Sequence, residues 1–244
     1  MEWGLLLDSV GVNPISGQLL RIVESQEQVA TLEIVDTLDE QALLEEMLEG
    51  SKAPLTGNYH YLLSTPFRYP PLPWGSRFGA RFEPSIFYGS LDIEPLLSET
   101  AYYRFTYLSG METVPPKTIT TQHTIFEVDY KAKYGLQLQH HPFATHANIL
   151  TDPVDYSATQ QLGSEMRKRG VGAFEYTSAR DPNHGINVGL FSPSALADSK
   201  PTSQTQWLCQ LSETSVSFTQ EHNPTVTSFY RTQFEIDGSI PAPA

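Results

Sequence analysis

The 244-residue chain is long enough for one large domain, or for one domain with an extension. Its 28 Asp and Glu outnumber its 15 Lys and Arg, for a formal net charge of −13, which argues against a nucleic-acid binder, since such proteins need cations to displace counterions from phosphates. Apolar residues at 39% and charged residues at 18% exclude a disordered or fibrous chain, and the single Cys209 excludes an internal disulfide framework or a multi-cysteine metal centre and points to a reducing compartment.

The N-terminus, Met1-Glu2-Trp3-Gly4-Leu5-Leu6-Leu7-Asp8, lacks a basic region and has a short apolar run, so no signal peptide is expected. No stretch approaches the roughly 20 apolar residues that span a bilayer. A cytoplasmic location is the expectation. Residues 1–50 carry eleven acids and a single base, Arg21, whereas the remainder is near neutral. This acidic segment reads as a solvated helical face or as a docking surface for a basic partner.

Thr37-Leu38-Asp39-Glu40 has the form of a capping box. It predicts a helix through about Glu49, with Leu43, Leu44, Met47 and Leu48 on one face and Gly50 as the stop. Residues 51–89 are rich in breakers, including Pro54, Pro66, Pro70, Pro71, Pro73, Gly75, Gly79 and Pro84. They forbid long helices and predict loops and short strands, the last being Ser85–Tyr88. Ser90 can cap the next helix, with Pro95 in its first turn, Gly110 past its end, and Leu97, Ala101, Phe105 and Leu108 on one face.

Alternation of Phe126, Val128 and Tyr130 predicts a strand over 125–130. Ser157-Ala158-Thr159-Gln160 is a second capping box, opening a helix with Leu162 and Met166 inside, basic residues 167–169 at its end and Gly170 as its stop. Short strands follow around 173–177, 186–191, 206–211 and 228–236. The tail, residues 238–244, is expected to fray. The reading is α+β, with several short strands and about four helices.

Several familiar constellations are missing from the sequence: no phosphate loop, no GxGxxG after a strand, no GxSxG elbow. His140, His141 and His146 cluster without an acid or an HExxH pattern, so an ordinary polar loop is preferred to a metal site. Cys209, in a β-like run, reads as a buried inert thiol. Ser178, Asp181 and His184 invite a hydrolase triad, but the loop is too short for that geometry.

Two segments remain. The first runs from Pro66-Phe67-Arg68-Tyr69 through Gly75-Ser76-Arg77-Phe78-Gly79 and Phe87-Tyr88-Gly89-Ser90 to Ser98-Glu99-Thr100. The second is Gly170–Arg180, continuing to Gly185-Ile186-Asn187-Val188-Gly189-Leu190-Phe191. Arginine forks bind phosphates in bidentate fashion, and aromatic faces stack on bases or nicotinamide-like rings. In an acidic protein such a pocket suits a small anionic nucleotide. Glu99, inside an otherwise apolar and aromatic helix, is placed to stabilise a developing cation. On these grounds alone, surface arginines and a solvated glutamate remain the competing reading.

These residues resemble the RES domain, named for an Arg, a Glu and a Ser. The likeness covers roughly residues 60–195: an Arg in a Gly-x-Arg-Phe-Gly loop, a Tyr-Gly strand end, a Glu in the next helix, and a Ser-Ala-Arg turn before an Asn-Val-x-Leu-Phe strand. The naming residues map to Arg77, Glu99 and Ser178, Tyr88 matches the family's active-site tyrosine, and Arg68 an upstream arginine. Two departures, Tyr176-Thr177-Ser178 for Tyr-Pro-Ser and Ala173-Phe174 for Gly-Ile, remove no polar catalytic group.

The resemblance implies a compact RES domain over 56–237, after an acidic, partly helical extension over 1–55 and before a flexible tail over 238–244. It implies a fold similar to ADP-ribosyltransferase toxins, with short strands in two small sheets around an NAD cleft and helices outside. It further implies a bacterial toxin that cleaves the nicotinamide–ribose bond of NAD, with water or phosphate as acceptor, and that is neutralised by an Xre-type helix-turn-helix antitoxin. Catalysis would fall to Glu99, Ser178 and Arg77, and NAD binding to Arg68, Arg77, Tyr88 and Ser178, with no metal. An ADP-ribosyltransferase with a protein target and a non-catalytic NAD-fold binder are the alternatives. A homo-oligomer is compatible with the sequence; direct nucleic-acid or membrane partners are not expected.

Overall fold

The computed structural model describes residues 2–25, 37, 40, 43, 47, 58–69 and 71–242. Its elements run α1 (Trp3–Val10), β1 (Asn13–Glu24), α2 (Tyr61–Arg68), β2 (Phe87–Ser90), α3 (Ile93–Ser109), β3 (Ile119–Gln137), α4 (Ala147–Leu150), α5 (Ser157–Lys168), β4 (Ala173–Thr177), β5 (Ile186–Leu190), β6 (Ser203–Leu211), β7 (Ser215–Gln220) and β8 (Val226–Tyr230). The helix predicted from Thr37 to Glu49 lies mostly outside the described residues, although Glu40 N–H donates to Thr37 Oγ1 at 3.2 Å, as an N-cap requires.

The α+β expectation holds, but the two small sheets do not. Among the described residues all eight strands belong to one mixed sheet, ordered β1-β2-β5-β4-β3-β6-β7-β8, with β1 also paired to β3. The cause is the length of β3, 19 residues where alternation alone predicted six. Its first half pairs with β6 from Ile119 to Glu127, its end runs parallel to β4 at Gly135–Gln137, and its other edge follows β1 from His123 to Gly135. One strand therefore serves both halves of the protein. Because β1 also meets β2 at Leu20↔Ser90, strands β1, β2, β5, β4 and β3 close into a ring, from which β6, β7 and β8 extend. Closure needs a glycine: a Cβ at Gly89 would lie 2.6 Å from the Leu20 carbonyl oxygen.

Successive residues of β3 point to opposite faces. Phe126, Val128 and Tyr130 pack with Leu19, Phe87 and Val188 inside the ring. Ile125 instead meets the apolar face of α3, where Leu97, Ala101, Phe105 and Leu108 are buried as their spacing predicts. The leucine, isoleucine and phenylalanine side chains among these each contribute about 1.5–3 kcal/mol of burial. α1 and α5 cover a third cluster, in which Trp3, Leu162 and Met166 pack with Phe78 and Phe174. The acidic N-terminal stretch thus supplies both α1 and β1 to the common core and sheet. The C-terminal stretch is tied at Pro241, whose carbonyl accepts the Tyr102 hydroxyl at 2.7 Å.

The structure departs from local sequence signals at four places. Ser90 ends β2 instead of capping α3, whose N-cap is Asp92. Ser157 is the first residue of α5, behind the N-cap Tyr156, and no capping box forms there. A short helix, α2, crosses the proline-rich passage with Pro66 inside it; burial of Leu62 and Leu63 holds it, and it ends two residues beyond the proline. The strand expected over 228–236 is β8, Val226–Tyr230, followed by a 3-10 turn at Arg231–Gln233.

Candidate active site

Strand register builds the floor of the site. β2 and β5 pair as Tyr88↔Gly189 and Ser90↔Asn187, and β5 and β4 as Gly189↔Phe174 and Asn187↔Tyr176. Cross-strand partners share a face. Ser90, Asn187 and Tyr176 therefore form one row, with Tyr88 in the next. The chain leaves β2 at Ser90 and enters α3 at Ile93, so the helix starts at the edge of this floor and carries Glu99 across it. Leu96, Glu99, Tyr103 and Tyr107, three or four residues apart on α3, line the cavity between helix and floor, which has a volume of about 710 Å³. That size lies in the usual range for a ligand site.

Glu99 is held from one side. Ser178 Oγ donates to Glu99 Oε1 at 2.6 Å, and Asn187 Nδ2 donates to the same oxygen at 3.0 Å. The Ser178 oxygen accepts the backbone N–H groups of Arg180 at 3.2 Å and Asp181 at 3.1 Å, so its proton is free for the carboxylate. Both donors fall on Oε1, which leaves Oε2 to the cavity.

Tyr88 stands beside it. Its hydroxyl accepts the Phe78 N–H at 3.1 Å and shares a 2.9 Å hydrogen bond with Ser76. Burial pushes the phenol up to about 12, so it is neutral at ordinary pH. Its ring meets Tyr176 edge-on, with centroids 6.3 Å apart.

The loop bearing Ser76 and Arg77 is set by α5. Gln160 Nε2 donates to the carbonyls of Trp74 and Ser76 at 3.0 and 3.1 Å. A Cβ at Gly163 would sit 1.8 Å from the Phe78 carbonyl oxygen, so only glycine admits this approach. Arg77 is 8% exposed, donates through Nη1 to the carbonyls of Leu150 at 3.2 Å and Asp152 at 2.9 Å, and lies over the Tyr156 ring at 4.3 Å.

The cavity is also lined by Arg21, Arg104 and His123. Arg21 donates to the Tyr88 carbonyl and lies over the Phe87 ring, and its burial lowers the guanidinium to about 10. Arg104 pairs with Glu24 at 3.0 Å and donates to Thr121 at 3.3 Å. Burial, ahead of the nearby Arg104 charge, pulls His123 down to about 4, which leaves it neutral at ordinary pH.

Of the residues singled out in the sequence, Arg77, Tyr88 and Glu99 line this cavity, and Ser178 supports Glu99 from behind. Arg68 closes α2 and is not among the lining residues. Ser90, Asn187 and Arg21 were not picked out. In the sequence Asn187 enters only as part of the Asn-Val-x-Leu-Phe strand, Arg21 only as the single base of residues 1–50, and Ser90 as a helix cap.

The triad around Ser178 is not assembled: the Asp181 carboxylate accepts the N–H groups of Asn183 and Gly185, and the Ser178 hydroxyl goes to Glu99. His146 packs edge-on against Trp3. Cys209 is buried on β6, and burial pushes its thiol up. Among the described residues no group of His, Cys, Asp or Glu is arranged to hold a metal ion. No described helix is long and apolar enough to cross a membrane.

Fold and cavity together define an α+β protein with the Glu99 carboxylate oriented in an aromatic, arginine-bearing cleft. The family model described as the RES domain matches residues 53–212, and the chain belongs to the RES domain family. A solved structure to which it is similar is one chain of the M. tuberculosis MbcT-MbcA toxin-antitoxin complex, at 12% identity and a TM-score of 0.49, over 84% of this chain and 91% of that one. No curated protein matches the chain.

Proposed function

We propose that the protein binds NAD in this cleft and cleaves the bond between nicotinamide and ribose. The observation that carries the reading is the Glu99 carboxylate, with Oε1 held by Ser178 and Asn187 and Oε2 left to a cavity of dinucleotide scale. Membership of the RES family supports it.

The chemistry asks little of the protein beyond placement. Nicotinamide in NAD is a cationic leaving group and departs with the bonding electrons as a neutral molecule, so it needs no general acid. The ribose left behind passes through an oxocarbenium-like state, as in glycoside hydrolysis. Glu99 Oε2 accepts a ribose hydroxyl and opposes the positive charge that grows at the anomeric carbon. Water then adds there, giving ADP-ribose and a proton; phosphate gives the 1″-phosphate instead. Ser178 holds Glu99 and forms no covalent adduct. Tyr88, neutral and edge-on to Tyr176, offers a ring face to the nicotinamide. Arg77, with Nη1 engaged, turns its remaining charge toward the pyrophosphate. Arg68 enters only as a positive charge at the end of α2.

The fold relation to ADP-ribosyltransferase toxins belongs to the same proposal, as does a role as a cytoplasmic toxin restrained by an Xre-type antitoxin. Nicotinamide release by the purified protein, followed by chromatography with and without phosphate, tests the activity. Release by the wild type and its loss in Glu99→Ala are the expected results. An ADP-ribose adduct on lysate proteins, without free ADP-ribose, would move the assignment to a transferase. Co-purification with the product of the neighbouring gene tests the antitoxin.

A further inference from the structure

We infer that Asn187 and Ser90 are positioning residues for Glu99, a two-link hydrogen-bond relay that fixes which carboxylate oxygen faces the cavity. This role rests on the proposed function of Glu99 but is read from different residues, on β5 and β2.

The direction of the relay follows from chemistry. Asn187 Oδ1 can only accept, and Ser90 Oγ lies 2.6 Å from it, so the Ser90 hydroxyl is the donor. With Oδ1 thus occupied, the amide cannot flip, and Nδ2 is aimed at Glu99 Oε1, 3.0 Å away. Ser90 and Asn187 are each 2% exposed, so little of either side chain is open to water. The register Ser90↔Asn187↔Tyr176 places the relay on rigid strands, whereas Ser178 stands in the turn after β4.

Glu99 thus has two supports with distinct tasks. Ser178 brings a hydroxyl whose oxygen is anchored to backbone N–H groups. Asn187 brings an amide whose orientation is anchored by Ser90. With both on Oε1, the plane of the carboxylate is set and Oε2 is presented to substrate.

The other charged or titratable groups facing this space are Arg21 and Glu24 from β1, Arg77 from the loop before β2, Tyr88 from β2, Tyr103, Arg104 and Tyr107 from α3, His123 from β3, Tyr156 at the start of α5 and Tyr176 from β4. Tyr88 and Tyr176 stay neutral at ordinary pH because burial raises both phenols. An acid at position 187 would therefore be the nearest new negative charge to Glu99.

The test uses Asn187→Ala, Ser90→Ala, the double variant and Asn187→Asp, each checked for folding by circular dichroism and thermal melting. In NAD cleavage, Asn187→Ala lowers kcat about ten- to a hundredfold with KM little changed, the effect of one hydrogen bond to a charged group. Ser90→Ala lowers kcat less, and the double variant is no worse than Asn187→Ala alone, because Ser90 acts only through the amide. Asn187→Asp moves the acid limb of the pH–rate profile upward, since a second carboxylate 3.0 Å from Oε1 opposes ionisation of Glu99.

A second readout does not depend on turnover: NMR titration of carboxyl-labelled glutamate, with the Glu99 signal assigned by Glu99→Gln. Its midpoint is expected to rise in Asn187→Asp relative to wild type. Losses that add in the double variant, or an unchanged kcat in Asn187→Ala, would overturn the relay and leave NAD cleavage standing. No cleavage by the wild type, together with a shifted midpoint, would overturn the proposed activity and leave the relay standing. An unmoved midpoint in folded Asn187→Asp would sink the relay in either case.

Discussion

Ser178 and Glu99 lie 79 positions apart in the sequence, yet Ser178 Oγ and Glu99 Oε1 are 2.6 Å apart. Two further bonds make this contact directional. The serine oxygen is already an acceptor for the N–H groups of Arg180 and Asp181, so its hydrogen points at the carboxylate.

Replacing Glu99 by Gln keeps the shape of the side chain and removes its charge. NAD cleavage is expected to fall about 100- to 1,000-fold, the usual consequence of losing one preorganised charge-stabilising group. The melting temperature is expected to stay close to wild type. Nicotinamide release at saturating NAD measures the first, and differential scanning fluorimetry the second.

Ser178→Ala has a double cost. It frees Glu99 Oε1 from one donor and leaves two buried N–H groups without their acceptor. A stability loss of about 1–3 kcal/mol is expected in urea unfolding, together with a lower kcat. Wild-type stability in this variant would mean that the turn after β4 relaxes to find other partners.

Tyr88→Phe separates the ring from the hydroxyl. The Phe78 N–H and Ser76 lose their partner, and a destabilisation of about 1–3 kcal/mol is expected. The ring face remains, so KM for NAD should change much less than in Tyr88→Ala. Equal KM values for the two variants would remove the ring from the binding role.

Gly163→Ala would drive a methyl group into the Phe78 carbonyl, where only 1.8 Å is available. Overpacking of this kind costs about 1–3 kcal/mol or more. Because α5 sets the Ser76–Phe78 loop, turnover should fall along with stability, although residue 163 does not line the cavity. Chemical denaturation and nicotinamide release on the same preparation read both effects.

His123 gives a pH dependence with a definite sign. The unfolded chain takes up this proton near pH 6.5, the folded protein only near 4. Between those values the unfolded state binds more protons, so stability falls as pH falls from 6.5 toward 4, by at most about 1.4 kcal/mol per pH unit from this group. Urea midpoints at pH 7 and pH 5 should differ more in wild type than in His123→Gln. Equal differences would assign the acid sensitivity to other groups.

The sequence by itself determined the local parts of this protein and the family they belong to. Leu97, Ala101, Phe105 and Leu108 repeat at helical spacing and are buried on α3, and the strand at 173–177 needs only its own pattern to be seen. The Arg, Tyr, Glu and Ser of the site were legible because each sits in a short motif that survives as a linear string. What only the tertiary structure decided is everything set by pairing between distant strands. The length of β3 was hidden because its ends owe their strand conformation to β1, β4 and β6 more than to alternation in their own residues. β1 is hidden for the same reason, since only its Ile15 and Leu19 are buried. Ser90 shows the limit most clearly. Its sequence context suits a helix cap, and only the register Ser90↔Asn187 turns its hydroxyl toward the amide that holds Glu99. Hydrogen bonds along one element are written in local spacing, whereas those between elements depend on a register that the whole sheet must agree upon.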